Sequence, residues 1–140
     1  MNTEEKLGLA LIVCRFNSDI TERMKLSALE RAKAAGAVAK VVEVPGVYDS
    51  PLVAKKMLLD KKVNAVVVLG AVIKGDTAHD EIVAKDTAKR LGELSLEFNK
   101  PVTLGIIGHG ATWEDAEKRA QEYGERATDA ALDLLNTLRN

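Results

Sequence analysis

Between Gly70 and Glu81 the chain reads Gly-Ala-Val-Ile-Lys-Gly-Asp-Thr-Ala-His-Asp-Glu, and His79 is one of only two histidines in 140 residues. The apolar residues 63–69 precede this run and a helical pattern follows it. That order predicts a strand end, a glycine-bearing loop and a helix start with His79 in its first turn. A helix start offers unpaired backbone N–H groups and the positive end of a dipole to an anion. The imidazole beside it offers proton transfer near neutral pH. Gly75 lets a ligand approach the backbone and Thr77 can donate to an anion, whereas Asp76 repels one unless it points outward. Anion holding and acid–base chemistry are therefore placed within a few residues of each other, although a histidine at a helix start is often only a surface residue.

Other chemistries find less support. His79, Asp80 and Glu81 occupy adjacent helical positions, which point in different directions and make a poor metal site. The phosphate loop Gly-x-x-x-x-Gly-Lys-Ser/Thr is absent, and no Gly-x-Gly-x-x-Gly follows a strand. Cys14 is the single cysteine, which excludes an internal disulfide and a cysteine-based zinc site. It sits in an apolar run and reads as a buried, inert thiol. Arg119, two turns into the last helical pattern, is either a surface helix former or a bidentate clamp on a phosphate. Phe16 offers a face to a flat ring or an ordinary hydrophobic contact.

The elements that must position these residues are legible as alternating apolar runs and helical patterns. Residues 7–14 form a continuous apolar run, as expected of a strand buried on both faces. Asn17-Ser18-Asp19 supplies cap-type residues for a helix to about residue 35, ended by Gly36. Residues 38–44 form a second strand, broken by Pro45-Gly46. Ser50-Pro51 reads as a cap followed by proline at the first helical position, opening a short helix to about residue 60. Residues 63–69 form the third strand, 77–98 the third helix and 102–107 the fourth strand. Gly108-His109-Gly110 reads as a loop. Thr112-Trp113-Glu114-Asp115 fits a capping box before a last helix that reaches nearly to the C-terminus, with a bend expected at Gly124. The order βαβαβαβα predicts an α/β three-layer sandwich around a four-stranded parallel sheet, in one domain over residues 1–140. Small residues on the helices (Ala32, Ala34, Ala35, Ala127, Ala130, Ala131) predict close helix contacts and oligomerisation, or reflect only alanine's helix propensity.

In open α/β sheets ligands bind beyond the carboxyl ends of the strands. That rule selects residues 15–19, 45–51, 71–79 and 105–112. Both histidines, two of the three prolines, Phe16, Tyr48 and five of the ten glycines (Gly46, Gly75, Gly105, Gly108, Gly110) fall there. Hydrophobic residues make up 46% and charged residues 29%, with a net charge of −1, which fits a globular protein and gives no nucleic-acid footprint. No apolar stretch reaches the ~20 residues of a membrane span, and the polar residues 1–6 show no signal-peptide pattern. A cytoplasmic protein is expected.

Taken together, the segments resemble the lumazine synthase family, which makes 6,7-dimethyl-8-ribityllumazine in riboflavin biosynthesis. The matching pieces are Phe16-Asn17 with Ile20-Thr21, residues 44–51 (Val-Pro-Gly-Val-Tyr-Asp-Ser-Pro), Gly70 to Glu81, residues 101–107, Glu114-Asp115-Ala116 and Arg119-Ala120. They stand in the family's order and spacing over essentially the whole chain. The resemblance implies a flavodoxin-like fold. It also implies a condensation of 5-amino-6-ribitylaminouracil with 3,4-dihydroxy-2-butanone 4-phosphate, releasing phosphate and water with no metal or organic cofactor. It implies that Phe16 stacks on the pyrimidine, that Val47, Tyr48 and Asp49 line the ribityl side, and that Ala71, Val72 and Ile73 hold the uracil edge. Gly75, Asp76 and Thr77 would cradle the phosphate, His79 would move protons, and Arg119 would clamp phosphate from a neighbouring subunit. Leu104 stands where some members place a ring-covering aromatic. Homopentamers with inter-subunit sites are implied, and some members assemble them into hollow icosahedral shells.

Departures from the family pattern are also present. Asp49 replaces the glutamate of many members, residues 120–124 lack a lysine-bearing run, and the Gly108-His109-Gly110 loop is one residue longer than in some relatives, as in archaeal-type members. His109 itself reads as a loop residue. A scaffold of the same fold, a paralogous riboflavin synthase and a generic flavin-binding domain are the competing readings. Intact Phe16, His79 and Arg119 favour the enzyme over the scaffold.

Overall fold

A computed structural model describes residues 6–75 and 78–139. The strands β1 (Gly8–Cys14), β2 (Val38–Val44), β3 (Ala65–Ile73) and β4 (Val102–Ala111) alternate with the helices α1 (Ser18–Ala34), α2 (Ser50–Leu58), α3 (His79–Phe98) and α4 (Trp113–Arg139). A single 3-10 turn, Val47–Asp49, leads into α2. All strands are parallel, in the order β2-β1-β3-β4. The order reverses between β1 and β3, so the crevice beyond their carboxyl ends is where this topology admits a ligand.

Strand periodicity sorts the core into two layers. Leu9, Leu11, Val13, Val67 and Leu69 face α1 and α4, and Ala10, Ile12, Cys14, Val66 and Val68 face α2 and α3. The two central strands are buried on both faces, which is why they read as unbroken apolar runs. Edge strand β2 leaves Val38 and Val41 exposed.

The predicted elements stand in the predicted order, with four local differences. First, β3 does not end at Leu69 but continues through Gly70, Ala71 and Val72 to Ile73, paired to β4. Gly70 is a close-packing position and not a break. A Cβ there would lie 2.6 Å from Val47 Cγ2 and 3.0 Å from Cys14 Sγ. Second, β4 extends to Ala111, so Gly108-His109-Gly110 is strand and not loop, with an irregular register opposite Ala71–Ile73.

Third, neither predicted amino-terminal cap for α1 or α2 forms through its side chain. Asn17 sits in the left-handed region (φ 65) and its Nδ2 donates to the Ala71 carbonyl at 3.0 Å. The Ser50 hydroxyl donates backward to the Val47 carbonyl at 2.7 Å. Fourth, α4 is continuous from Trp113 to Arg139, and Gly124 within it is a packing position. A Cβ on Gly124 would collide with the Met24 carbonyl and Ser27 Oγ, so this glycine serves the approach of α1. Ala32, Ala127 and Ala131 are buried in that same layer, whereas Ala34, Ala35 and Ala130 are exposed.

Other sequence signals hold as read. Gly36 (φ 72) ends α1, and the Ala37 N–H returns to Ala32 O at 2.9 Å. Thr112 and Asp115 form the reciprocal capping box of α4: Asp115 N–H donates to Thr112 Oγ1 at 3.2 Å and Thr112 N–H to Asp115 Oδ2 at 3.4 Å. Thr112 also holds the Asp115 carboxyl below the ordinary aspartate range, through side-chain and backbone hydrogen bonds.

Candidate active site

Three of the four strand-end segments converge. The end of β1 is tied to the end of β2 by Arg15 N–H to Val44 O at 2.8 Å and Phe16 N–H to Pro45 O at 2.9 Å. These bonds place the Phe16 ring over Gly46, where a Cβ would lie 2.7 Å from the ring. Glycine is therefore what lets the ring lie against the backbone. The Asp49 Oδ2 accepts the Gly46 N–H at 2.9 Å and closes the 3-10 turn. Asn17 spans from the β1 end to Ala71 on β3.

The result is a cleft of about 240 Å³ lined by Phe16, Val47, Tyr48 and Asp49 with Ala71, Val72, Ile73 and His79. Asn17, Gly46, Asp80 and Val83 complete its wall. Phe16 is 64% exposed and Tyr48 61% exposed, so both rings present free faces to a ligand. A recess of about 770 Å³ at the amino ends of the strands is larger, but lysines, Asp60 and Arg139 line it, with no histidine or aromatic ring. Chemistry and topology, more than volume, select the Phe16 cleft.

His79 is the first residue of α3, and the cap residue Ala78 makes no side-chain cap hydrogen bond. A helix start is a place that suits an anion. Asp80 and Glu81 occupy its first turn and offset the positive end of the helix dipole. The hydrogen bond from Lys85, at 2.6 Å, holds the Glu81 carboxyl below its ordinary range, with the charges of Lys85 and His109 adding to the effect. Gly75 is exposed, and a Cβ there would meet nothing within 4 Å among the described residues. Asp76 and Thr77, the other two residues of the predicted phosphate cradle, lie outside the described residues.

The fourth segment goes elsewhere. Arg119 is exposed on α4 and lines a separate recess of about 290 Å³ with Gly108, His109, Gly110, Asp115 and Tyr123. Leu104, 43% exposed on β4, lines a third hollow with Thr103, Tyr123 and Arg126. Neither residue reaches the Phe16 cleft within one chain.

Cys14 is fully buried beneath Gly70, and burial, aided by the charge of Asp49, pushes its thiol up to about 12. It is a packing residue, as the sequence suggests. Among the described residues, no three His, Cys, Asp or Glu side chains gather as metal ligands, and no helix is long and apolar enough to cross a membrane.

Four wall residues were not singled out as site residues in the sequence, Asn17, Gly46, Asp80 and Val83, of which Asn17 serves as a tether. The signal for Asn17 was its place in the short turn between β1 and α1, where asparagine readily takes the left-handed conformation. Asp80 carried only the ordinary signature of an acid in a first turn.

A sequence profile described as 6,7-dimethyl-8-ribityllumazine synthase matches residues 6–139. Proteins named 6,7-dimethyl-8-ribityllumazine synthase are similar over most of the chain. The one from Saccharolobus islandicus is 54% identical over 97% of this chain and 89% of its own length. That from Sulfolobus acidocaldarius is 49% identical over 99% and 89%, and that from Pyrobaculum calidifontis 54% identical over 90% and 85%. With an α/β sandwich of the expected topology and a cleft at its switch point, the chain belongs to the 6,7-dimethyl-8-ribityllumazine synthase family, transferases of riboflavin biosynthesis.

Proposed function

We propose that the Phe16 cleft is where this chain condenses 5-amino-6-ribitylaminouracil with 3,4-dihydroxy-2-butanone 4-phosphate. The observation that carries this reading is the convergence of Phe16, the 47–49 turn, the 71–73 strand end and His79 on one cleft. Phe16 stacks on the pyrimidine, Val47 to Asp49 line the ribityl chain, and Ala71 to Ile73 hold the uracil edge. Asp49 acts there mainly through its backbone, because its carboxylate is occupied with Gly46. Gly75, with Asp76 and Thr77, receives the phosphate at the start of α3.

The substrate amine attacks the ketone to give a Schiff base with loss of water. Phosphate then leaves by elimination, and the ribityl-bearing nitrogen attacks the remaining carbonyl to close the ring with loss of a second water. His79 donates and accepts the protons these steps move. Holding two reactants in register supplies much of the acceleration.

Arg119 and Leu104 serve the same reaction from a second copy of the chain. This reading is supported by their position away from the Phe16 cleft in their own chain and by their exposure. A homopentamer with sites between neighbours, acting in the cytoplasm, is the assembly we infer, and pentamers closing into an icosahedral shell are its larger form.

The test follows product absorbance with both substrates against the slow spontaneous reaction. The parent protein exceeds background, and His79→Ala lowers turnover by roughly 10²-fold or less, because positioning survives the substitution. No rate above background from folded, oligomeric protein would favour the scaffold reading instead.

A further inference from the structure

Asp80 touches both halves of the divided site. It lines the Phe16–His79 cleft, and its Oδ2 accepts the backbone N–H of Gly110 at 3.1 Å. Gly110 in turn lines the recess that holds Arg119 and His109. The end of β4 is shaped for this contact: Gly108 and Gly110 both take left-handed conformations (φ 102 and 81), which glycine adopts at little steric cost. On the other side of the same segment, Lys74 N–H donates to Ala111 O at 2.8 Å. The ends of β3 and β4 are thereby laced together, and Asp80 extends the lacing to the first turn of α3, the turn that begins with His79.

We propose that Asp80 is a positioning residue: by gripping Gly110 it fixes the spacing between His79 and the Arg119 recess of the same chain. This rests on the proposed use of the cleft and the recess in one condensation. Where the recess of one copy completes the cleft of the next, the Asp80–Gly110 bond also ties each active site to its neighbour. A carboxylate suits the task because a charged acceptor makes a stronger hydrogen bond than a neutral one. The same negative charge in a first turn stabilises the helix start that carries His79.

The experiment compares Asp80→Ala and Asp80→Asn with the parent and with His79→Ala. It reads kcat, KM for the phosphorylated substrate and hydrogen exchange at the Gly110 amide. Asp80→Ala lowers kcat/KM roughly 10-fold, the scale of a small displacement of a catalytic group, and speeds exchange at Gly110. Asp80→Asn keeps an oxygen acceptor, stays within about 2-fold of the parent and keeps the amide protected. Unchanged exchange and kinetics in Asp80→Ala, or an Asn variant as impaired as the Ala variant, would overturn the proposal. If His79→Ala turns over at the parent rate, the reading of the cleft fails instead, and the exchange data still decide whether Asp80 holds Gly110.

Discussion

The α1–α4 layer and the α2–α3 layer cover the two faces of one sheet with different surfaces. On the first, α4 presents a stripe of small or apolar buried residues (Ala116, Ala120, Gly124, Ala127, Ala131, Leu135), and α1 lies directly against it. Ion pairs bridge the two helices: Arg31 to Glu125 at 3.3 Å and to Asp129 at 3.4 Å, with Arg23 to Glu117 at 3.9 Å. On the second, the 20-residue α3 buries only Ala84, Thr87 and Leu91 among its residues and leaves Ile82 and Leu96 exposed. The Phe16–His79 cleft opens on the α2–α3 side, and Arg119 stands on the α4 side. One layer is built for close helix contact, and the other carries the start of α3 and the exposed rings of Phe16 and Tyr48. The Phe16 cleft and the Arg119 recess are lined by separate sets of residues in one chain, which is what favours the proposal that a second copy completes the site.

The sharpest way to break this comparison is to crowd the tight layer. Gly124→Val puts a branched side chain where even a Cβ meets the Met24 carbonyl. The expected loss is about 3 kcal/mol, the upper part of the usual overpacking range, or roughly 10 °C in melting temperature. Thermal unfolding at the parent's midpoint would mean that α1 and α4 part easily, and the contrast between the layers would dissolve. His79→Ala is the counterpart on the open layer: it costs rate and leaves the melting temperature within a few degrees, because the side chain is exposed.

Arg119→Ala sharpens the comparison with a smaller effect. The guanidinium is exposed on α4, so stability stays within about 0.5 kcal/mol. If Arg119 clamps phosphate as proposed, losing that charge-assisted contact raises KM for the phosphorylated substrate about 10-fold, with less effect on kcat. Steady-state kinetics with that substrate varied gives the answer. Equal constants for variant and parent would remove Arg119 from the phosphate site.

The sequence made the fold legible because the central strands are apolar on both faces and glycine, proline or cap residues stand at most boundaries. Glycine was also where the reading failed. Gly70 and Gly108 look like breaks, yet both lie inside strands, where the backbone of one element meets a neighbour too closely for a side chain. A linear pattern cannot tell a glycine needed for a turn from one needed for contact. The same holds for Asn17 and Ser50: their types suit caps, but tertiary partners on Ala71 and Val47 claim the side chains. His79, Phe16 and residues 47–49 line one cleft because strand-end position follows from topology. The separation of Arg119 from them in one chain was implied by the family resemblance and not by the residue pattern, since it depends on which face of the sheet α4 covers.

The smallest expected effect lies inside the open layer itself. Thr87 is completely buried on α3, and its hydroxyl has no hydrogen-bond partner among the described residues. A buried hydroxyl that has lost water and gained nothing is destabilising. Valine has nearly the same shape without that hydroxyl, so Thr87→Val removes the unmet group without opening a cavity. Stability should rise by about 1 kcal/mol, read as a higher denaturant midpoint at unchanged slope. Turnover should hold, since Thr87 lies about two helical turns from His79. A fall in stability would mean that the hydroxyl has a partner in the assembled protein. The face of α3 that carries it would then be as closely matched to its surroundings as α4 is to α1.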